Sequence, residues 1–174
     1  MAQIPDTIVL RRDRDLESRR NDIWVRRGLL ALVCVVPVLA LANLFGQRPD
    51  TSTGAAAAAQ LSVSSPSHLR GGLLYQAQFR ITARKRLAQA ALVLDRGWLE
   101  GLTINTVEPA PASEASQDGK LGLDLGPIAQ GQSYVLYVSF QVNPTTVGRR
   151  SQNVTLYDGK RALVTLHRTI TVFP

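Results

Sequence analysis

The sequence predicts an all-β, antiparallel sandwich carried on a single N-terminal transmembrane helix. Three observations lead there. Residues 28–46, GLLALVCVVPVLALANLFG, hold no charge. Beyond residue 60, several runs alternate apolar and polar side chains with a period of two, as strands with one buried and one wet face require. Turn dipeptides separate these runs at roughly regular spacing, with no helical period between them.

Residues 1–27 are expected to form an Arg-rich cytoplasmic tail, with seven Arg against five acids. Leu16, Ile23 and Trp24 allow a short amphipathic helix at the membrane surface. Trp24 then makes an interfacial anchor, with Arg26 and Arg27 at the headgroups. Residues 28–46 read as a transmembrane signal anchor, since a 19-residue helix spans about 28 Å against a hydrocarbon layer of ~30 Å. Eleven of these residues are Leu, Val or Phe, each favouring insertion by roughly 0.3–0.6 kcal/mol. Pro37 interrupts the run where a lipid-embedded helix tolerates a kink. Ala40-Leu41-Ala42 satisfies a small-x-small cleavage rule. The run continues through Leu44 and Phe45, however, so an uncleaved anchor is expected over a signal peptide cut after Ala42. Arg crowds the leading side of the span, and Arg48 alone follows it in the next stretch. That asymmetry predicts a single-pass protein of the cell membrane, N-terminus cytoplasmic and C-terminal domain extracytoplasmic.

Residues 47–60, QRPDTSTGAAAAAQ, read as a low-complexity linker. Residues 61–174 are long enough to bury one core. In 73–84, Tyr75, Ala77, Phe79, Ile81 and Ala83 are expected inward; in 134–142, Tyr134, Leu136, Val138, Phe140 and Val142. In 161–172, Ala162, Val164, Leu166, Ile170 and Val172 share one face, and Arg168 interrupts it, predicting an edge or a bulge there. Shorter strands are expected at 61–64, 89–95, 102–108, 119–125 and 152–157. Asp158-Gly159 is a two-residue hairpin signal, Asp118-Gly119 and Gly126-Pro127 mark further turns, and 109–117 reads as a loop. The single cysteine, Cys34, lies in the apolar run, which rules out a disulfide within the chain or a thiolate metal site.

The stretch LGLDLGPIAQGQSYVLYVSFQV, followed by NVTLYDG and a closing TVFP strand, resembles single Ig-like modules of the CARDB type found in bacterial envelope and adhesion proteins. Leu125, Gly126, Ile128 and Gly131 match the turn and core positions of those modules. The resemblance covers roughly residues 61–174 and implies an Ig-like sandwich. It carries no functional residue across. One module in place of an array, and no wall-anchoring tail, weaken an adhesin role.

No catalytic, cofactor or metal site is expected. His68 and His167 have no third ligand at metal spacing, and the serines lack a nucleophile elbow. No phosphate-binding Gly loop follows a strand. Asp118, Asp124 and Asp158 are explained by their turn positions. Two features remain as possible partner contacts. Trp98 sits in a Gly-flanked turn, where plugging an end of the sandwich competes with binding a partner or glycan. Arg84, Lys85 and Arg86 end one strand, and Arg149 and Arg150 follow a later loop; solvated strand ends compete there with contacts to anionic headgroups. The net charge of +7 is not gathered into a stripe with interleaved aromatics, so nucleic acid is not expected as a partner. The expected partners are membrane lipid and another membrane or envelope protein. The expected role is a non-catalytic accessory or scaffold subunit. The alternative is a surface recognition module for envelope glycan, lipid or another cell.

Overall fold

In the computed structural model, which describes residues 20–41 and 48–174, the first stretch is one helix and the second an all-β body. The two belong to separate compact units. The helix, α1 (Arg20–Leu41), contains Pro37. Its uncharged part within the described residues, 28–41, is 14 residues long, about 21 Å at the helical rise. Among the described residues, no helix is long and apolar enough to cross a membrane. The remainder of the apolar run, and the tail at 1–19, lie outside the described residues. Along α1 the side chains of Leu29, Leu30, Leu32 and Val33 are all exposed, and Val35, Val36 and Val38 follow them. Successive residues turn by about 100°, so from residue 28 on α1 is apolar around its whole circumference.

The β body contains thirteen strands: β1 (Pro49–Ala55), β2 (Ala59–Pro66), β3 (His68–Arg70), β4 (Leu74–Ala83), β5 (Leu87–Leu94), β6 (Leu102–Glu108) and β7 (Ser113–Gln117). They continue with β8 (Lys120–Ile128), β9 (Ser133–Val142), β10 (Gly148–Ser151), β11 (Val154–Asp158), β12 (Arg161–Leu166) and β13 (Thr169–Phe173). Two five-stranded sheets, ordered β1-β2-β4-β9-β6 and β12-β11-β5-β8-β7, face each other across one core, and a third sheet, β10-β13-β3, closes it. All pairings are antiparallel except β13 with β3. The longest ladder runs from Leu74 opposite Gln141 to Thr82 opposite Ser133. There the predicted alternation holds: Tyr75, Ala77, Phe79, Ile81 and Ala83 are buried, facing Leu87, Leu92, Leu94 and Leu123 from the other sheet.

Three expectations need correction. Residues 49–55, read as linker, form β1, paired residue for residue with β2. The composition misleads because β1 buries no large apolar side chain. It is an edge strand held by its ladder, by Thr51 and Thr53 donating to Ser64 and Ser62, and by Gly54 lying against Leu166 and Val164. Residues 113–117, read as loop, form β7, another exposed edge strand. The run 161–172 is two strands in two different sheets. The chain changes sheet at His167-Arg168, and Arg168 is buried at the crossing, where an edge or bulge was expected. Ala162 is exposed, because a bulge between Leu156 and Tyr157 shifts the β11–β12 register.

The turns follow their chemistry. Asp118 and Gly119 both have positive φ, the type I′ requirement, and close the β7–β8 hairpin. In the β11–β12 hairpin the turn falls one residue later than expected, on Gly159-Lys160. Asp158 is the last strand residue, and its Oδ1 accepts from the backbone N–H groups of Ala88 and Gln89, both at 2.9 Å.

Candidate functional site

Trp98 is fully buried, packed in tilted contact with Phe79 and Phe140, their ring centroids 5.3 and 5.4 Å away. Its indole N–H donates to the Asn153 carbonyl at 3.1 Å. Gly97 makes this placement possible, since a Cβ there would collide with the Ser151 carbonyl. Trp98 is therefore a core plug and is not available as a surface reader. Its Gly-flanked turn is a short 3-10 segment pressed onto β10.

The two basic clusters do not form one patch. Arg84, Lys85 and Arg86 are exposed at the end of β4, with the N–H groups of Arg84 and Lys85 bound to the Ala58 carbonyl. Arg149 and Arg150 lie on β10, at the opposite end of β4, about 30 Å away along ten strand residues. Arg149 is exposed, and Arg150 sits 3.7 Å from Glu100. On α1, the Arg27 guanidinium lies over the Trp24 ring at 5.7 Å, a cation–π contact; Trp24 is 69% exposed, and Arg26 is exposed as well.

A second constellation lies on the solvent face of the β12-β11-β5-β8-β7 sheet, and no motif announced it. The ladder sets Val154 opposite both Leu94 and Leu166, so the next residues outward, Asp95, Asn153 and His167, fall in one row. The Asn153 amide N–H donates to Asp95 Oδ2 at 3.3 Å, and His167 Nδ1 is 3.3 Å from Asn153 Oδ1. A carboxylate only accepts, so Asn153 must turn its NH₂ to Asp95 and its oxygen to His167. That puts a proton on His167 Nδ1, which donates to the Asn153 oxygen. Lys120 Nζ stands 3.9 Å from the other Asp95 oxygen. Beside this row is a hollow of about 230 Å³, bounded further by Val93, Thr155, Thr165 and Tyr157. The two threonine hydroxyls are hydrogen-bonded at 3.1 Å.

A polar seam inside the body is of a different kind. Gln152 donates to the Tyr75 hydroxyl at 3.2 Å, and its backbone N–H donates to the Arg168 carbonyl at 2.8 Å. Burial pushes the Tyr75 phenol above its ordinary range and pulls the Arg168 guanidinium below its own. Both are closed to solvent, so the seam serves the fold. Among the described residues, no group of three or more His, Cys, Asp or Glu is placed to hold a metal ion.

No protein-family model and no curated protein matches the sequence. Solved structures similar to the chain include AvmM, which catalyzes macrocyclization in alchivemycin A biosynthesis, at 9% identity and a TM-score of 0.42, covering 74% of this chain and 90% of that one. A non-cellulosomal cohesin from the archaeon Archaeoglobus fulgidus is 15% identical with a TM-score of 0.41, over 73% and 92% of the two chains. The CARDB domain of PF1109 from Pyrococcus furiosus is 12% identical with a TM-score of 0.41, over 72% and 96%. The solved neighbours of this chain thus include CARDB and cohesin domains, β-sandwiches of the Ig-like kind, and the likeness is one of fold.

Proposed function

We propose that this chain is a non-catalytic, single-pass membrane protein that presents its Ig-like sandwich outside the membrane as an accessory or scaffold subunit of a membrane complex. The observation that carries the reading is the character of α1. From residue 28 on it is apolar on every side and has no wet face, and such a helical stretch is covered either by protein or by lipid. The uncharged run in the sequence continues to residue 46, reaching spanning length, and Trp24, Arg26 and Arg27 stand at its leading end. In this reading lipid contacts the anchor, and another membrane or envelope protein contacts the helix or the sandwich.

The test is made in cells. Membranes washed with alkaline carbonate should retain the protein, and protease added to intact spheroplasts should digest the sandwich while sparing the tail. Release into the wash, or a protected sandwich, overturns the reading. Crosslinking in intact cells should then capture a reproducible membrane or envelope companion. A second reading, a surface recognition module, is favoured by the hollow beside Asp95, Asn153 and His167. Its reader is that sheet face, since Trp98 is buried.

A further inference from the structure

We infer that the outer face of the β12-β11-β5-β8-β7 sheet is a trough that binds a neutral oligosaccharide chain, an inference that rests on the recognition reading. Two hollows lie side by side on this face. The first, of about 230 Å³, ends at Tyr157; the second, of about 370 Å³, begins at Ala91, which the ladder sets opposite Tyr157. Small residues make the second hollow. Ala91, Ala115 and Gly122 form its floor, with Ala115 paired directly to Gly122. Together the hollows cross β11, β5, β8 and β7, a track long enough for several linked rings. Each alone is small or open, which suits a chain better than one large ligand.

Charge selects the ligand class. The sandwich region, 60–174, is basic, with twelve basic against seven acidic side chains. Yet each hollow holds one acid and one base: Asp95 with Lys120 in the first, Asp124 with Lys160 in the second. Neither therefore attracts a net charge, and an anionic polymer or a cation gains nothing there. What remains are neutral hydrogen-bonding groups. Thr155 and Thr165 donate and accept, and the Asn153 amide stands beside them, held at both ends. Gln89 and Ser113 continue the series in the second hollow. Vicinal sugar hydroxyls are donors and acceptors at once, which such a surface satisfies. The Val93 side chain and the Tyr157 ring offer apolar area for the C–H face of a ring.

Gly122 makes the inference testable without breaking the fold. A Cβ there meets only the Ala115 carbonyl oxygen, at 3.5 Å, an ordinary contact. Gly122→Leu should therefore fill the trough in a strand that gains from losing its glycine. The full-length protein, in a detergent without a sugar headgroup, is titrated with cellohexaose, maltohexaose and the hexamer of N-acetylglucosamine. The expected result is saturable binding of at least one. Gly122→Leu and Asn153→Ala should weaken it by about tenfold or more, while Lys85→Ala leaves it unchanged. Ala115→Leu, on the exposed edge strand, does the same filling should Gly122→Leu not fold. Binding that survives both filled variants overturns the trough and leaves the recognition reading standing. Silence with all three sugars overturns the trough, as does a protein ligand that occupies this face and is not displaced by them; the recognition reading, which also admits lipid or another cell, survives both. The scaffold reading is untouched by either result, since it turns on the anchor.

Discussion

Replacing Arg168 with Met should cost about 3 kcal/mol of stability, through hydrogen bonds that no apolar side chain can replace. Arg168 is 7% exposed, at the point where the chain leaves β12 for β13. Nη1 donates to Ser52 Oγ at 2.7 Å and to the Val63 carbonyl at 2.9 Å. Nη2 donates to the carbonyls of Asp50 and Ser65 at 3.1 and 3.0 Å, and to Ser65 Oγ at 3.1 Å. One planar fork thus ties β1 and β2 to the crossing. Methionine keeps the stem volume and leaves the buried Val63 and Ser65 acceptors without their donor. Each orphaned acceptor costs about 1–3 kcal/mol, and the guanidinium's own burial penalty is recovered, so a net loss of about 3 kcal/mol is the balance. Arg168→Lys should recover no more than about half, because an ammonium cannot fork to several acceptors. Ser52→Ala removes one partly exposed bond and should cost about 1 kcal/mol. The assay is urea unfolding of the full-length protein followed by tryptophan emission. Trp98 is buried and Trp24 already exposed, so the change reports the sandwich. With an m-value of about 2 kcal/mol/M, Arg168→Met should lower the midpoint by about 1.5 M. A drop under about 0.5 M, or an equal drop for Ser52→Ala, would refute the fork as the element holding β1.

Gly97→Ala should leave the protein unfolded or cost more than about 3 kcal/mol, because the new methyl collides with the Ser151 backbone and cannot be relieved by a rotamer; a native melting temperature would contradict it. Tyr75 provides a pH test. Burial raises its folded-state pKa above the ordinary 10.0, against smaller opposing effects of Gln152 and Arg168. Its contribution is therefore whole below about pH 10 and falls above it, by up to about 1.4 kcal/mol per pH unit, as the unfolded chain deprotonates first. Tyr75→Phe should remove that slope in urea titrations between pH 9 and 11, and parallel slopes would disprove it. Asp158→Ala frees the amides of Ala88 and Gln89 and should cost about 2 kcal/mol, whereas Asp158→Asn, which keeps an acceptor oxygen, should cost about half as much.

What was legible in the sequence is the part that period and turn chemistry decide locally. The buried faces of β4 and β9 follow from alternation alone, and the Asp118-Gly119 hairpin from the need for two positive φ angles. What escaped depends on partners distant in sequence. β1 carries no apolar signal because its neighbour β2 supplies the buried residues; a strand without a core side chain reads as a linker. Arg168 broke an apolar face and so marked a real irregularity. The nature of that irregularity, a buried fork between sheets, depended on carbonyls more than a hundred residues away.

The Asp95–Asn153–His167 row shows how close the sequence came to disclosing a site. His167 falls just past the end of β12, between β12 and β13, and alone it matches no motif. The missing quantity was the register of one hairpin. Counting back from a turn on Gly159-Lys160, without the bulge at Leu156/Tyr157, sets Asn153 opposite Leu166 and buries the pairing. The bulge moves β12 by one residue and sets Asn153 opposite His167 on the wet face. A one-residue slip thus decides whether these side chains meet. The irregularity that costs β11 and β12 a regular ladder is the feature that brings the histidine to the asparagine.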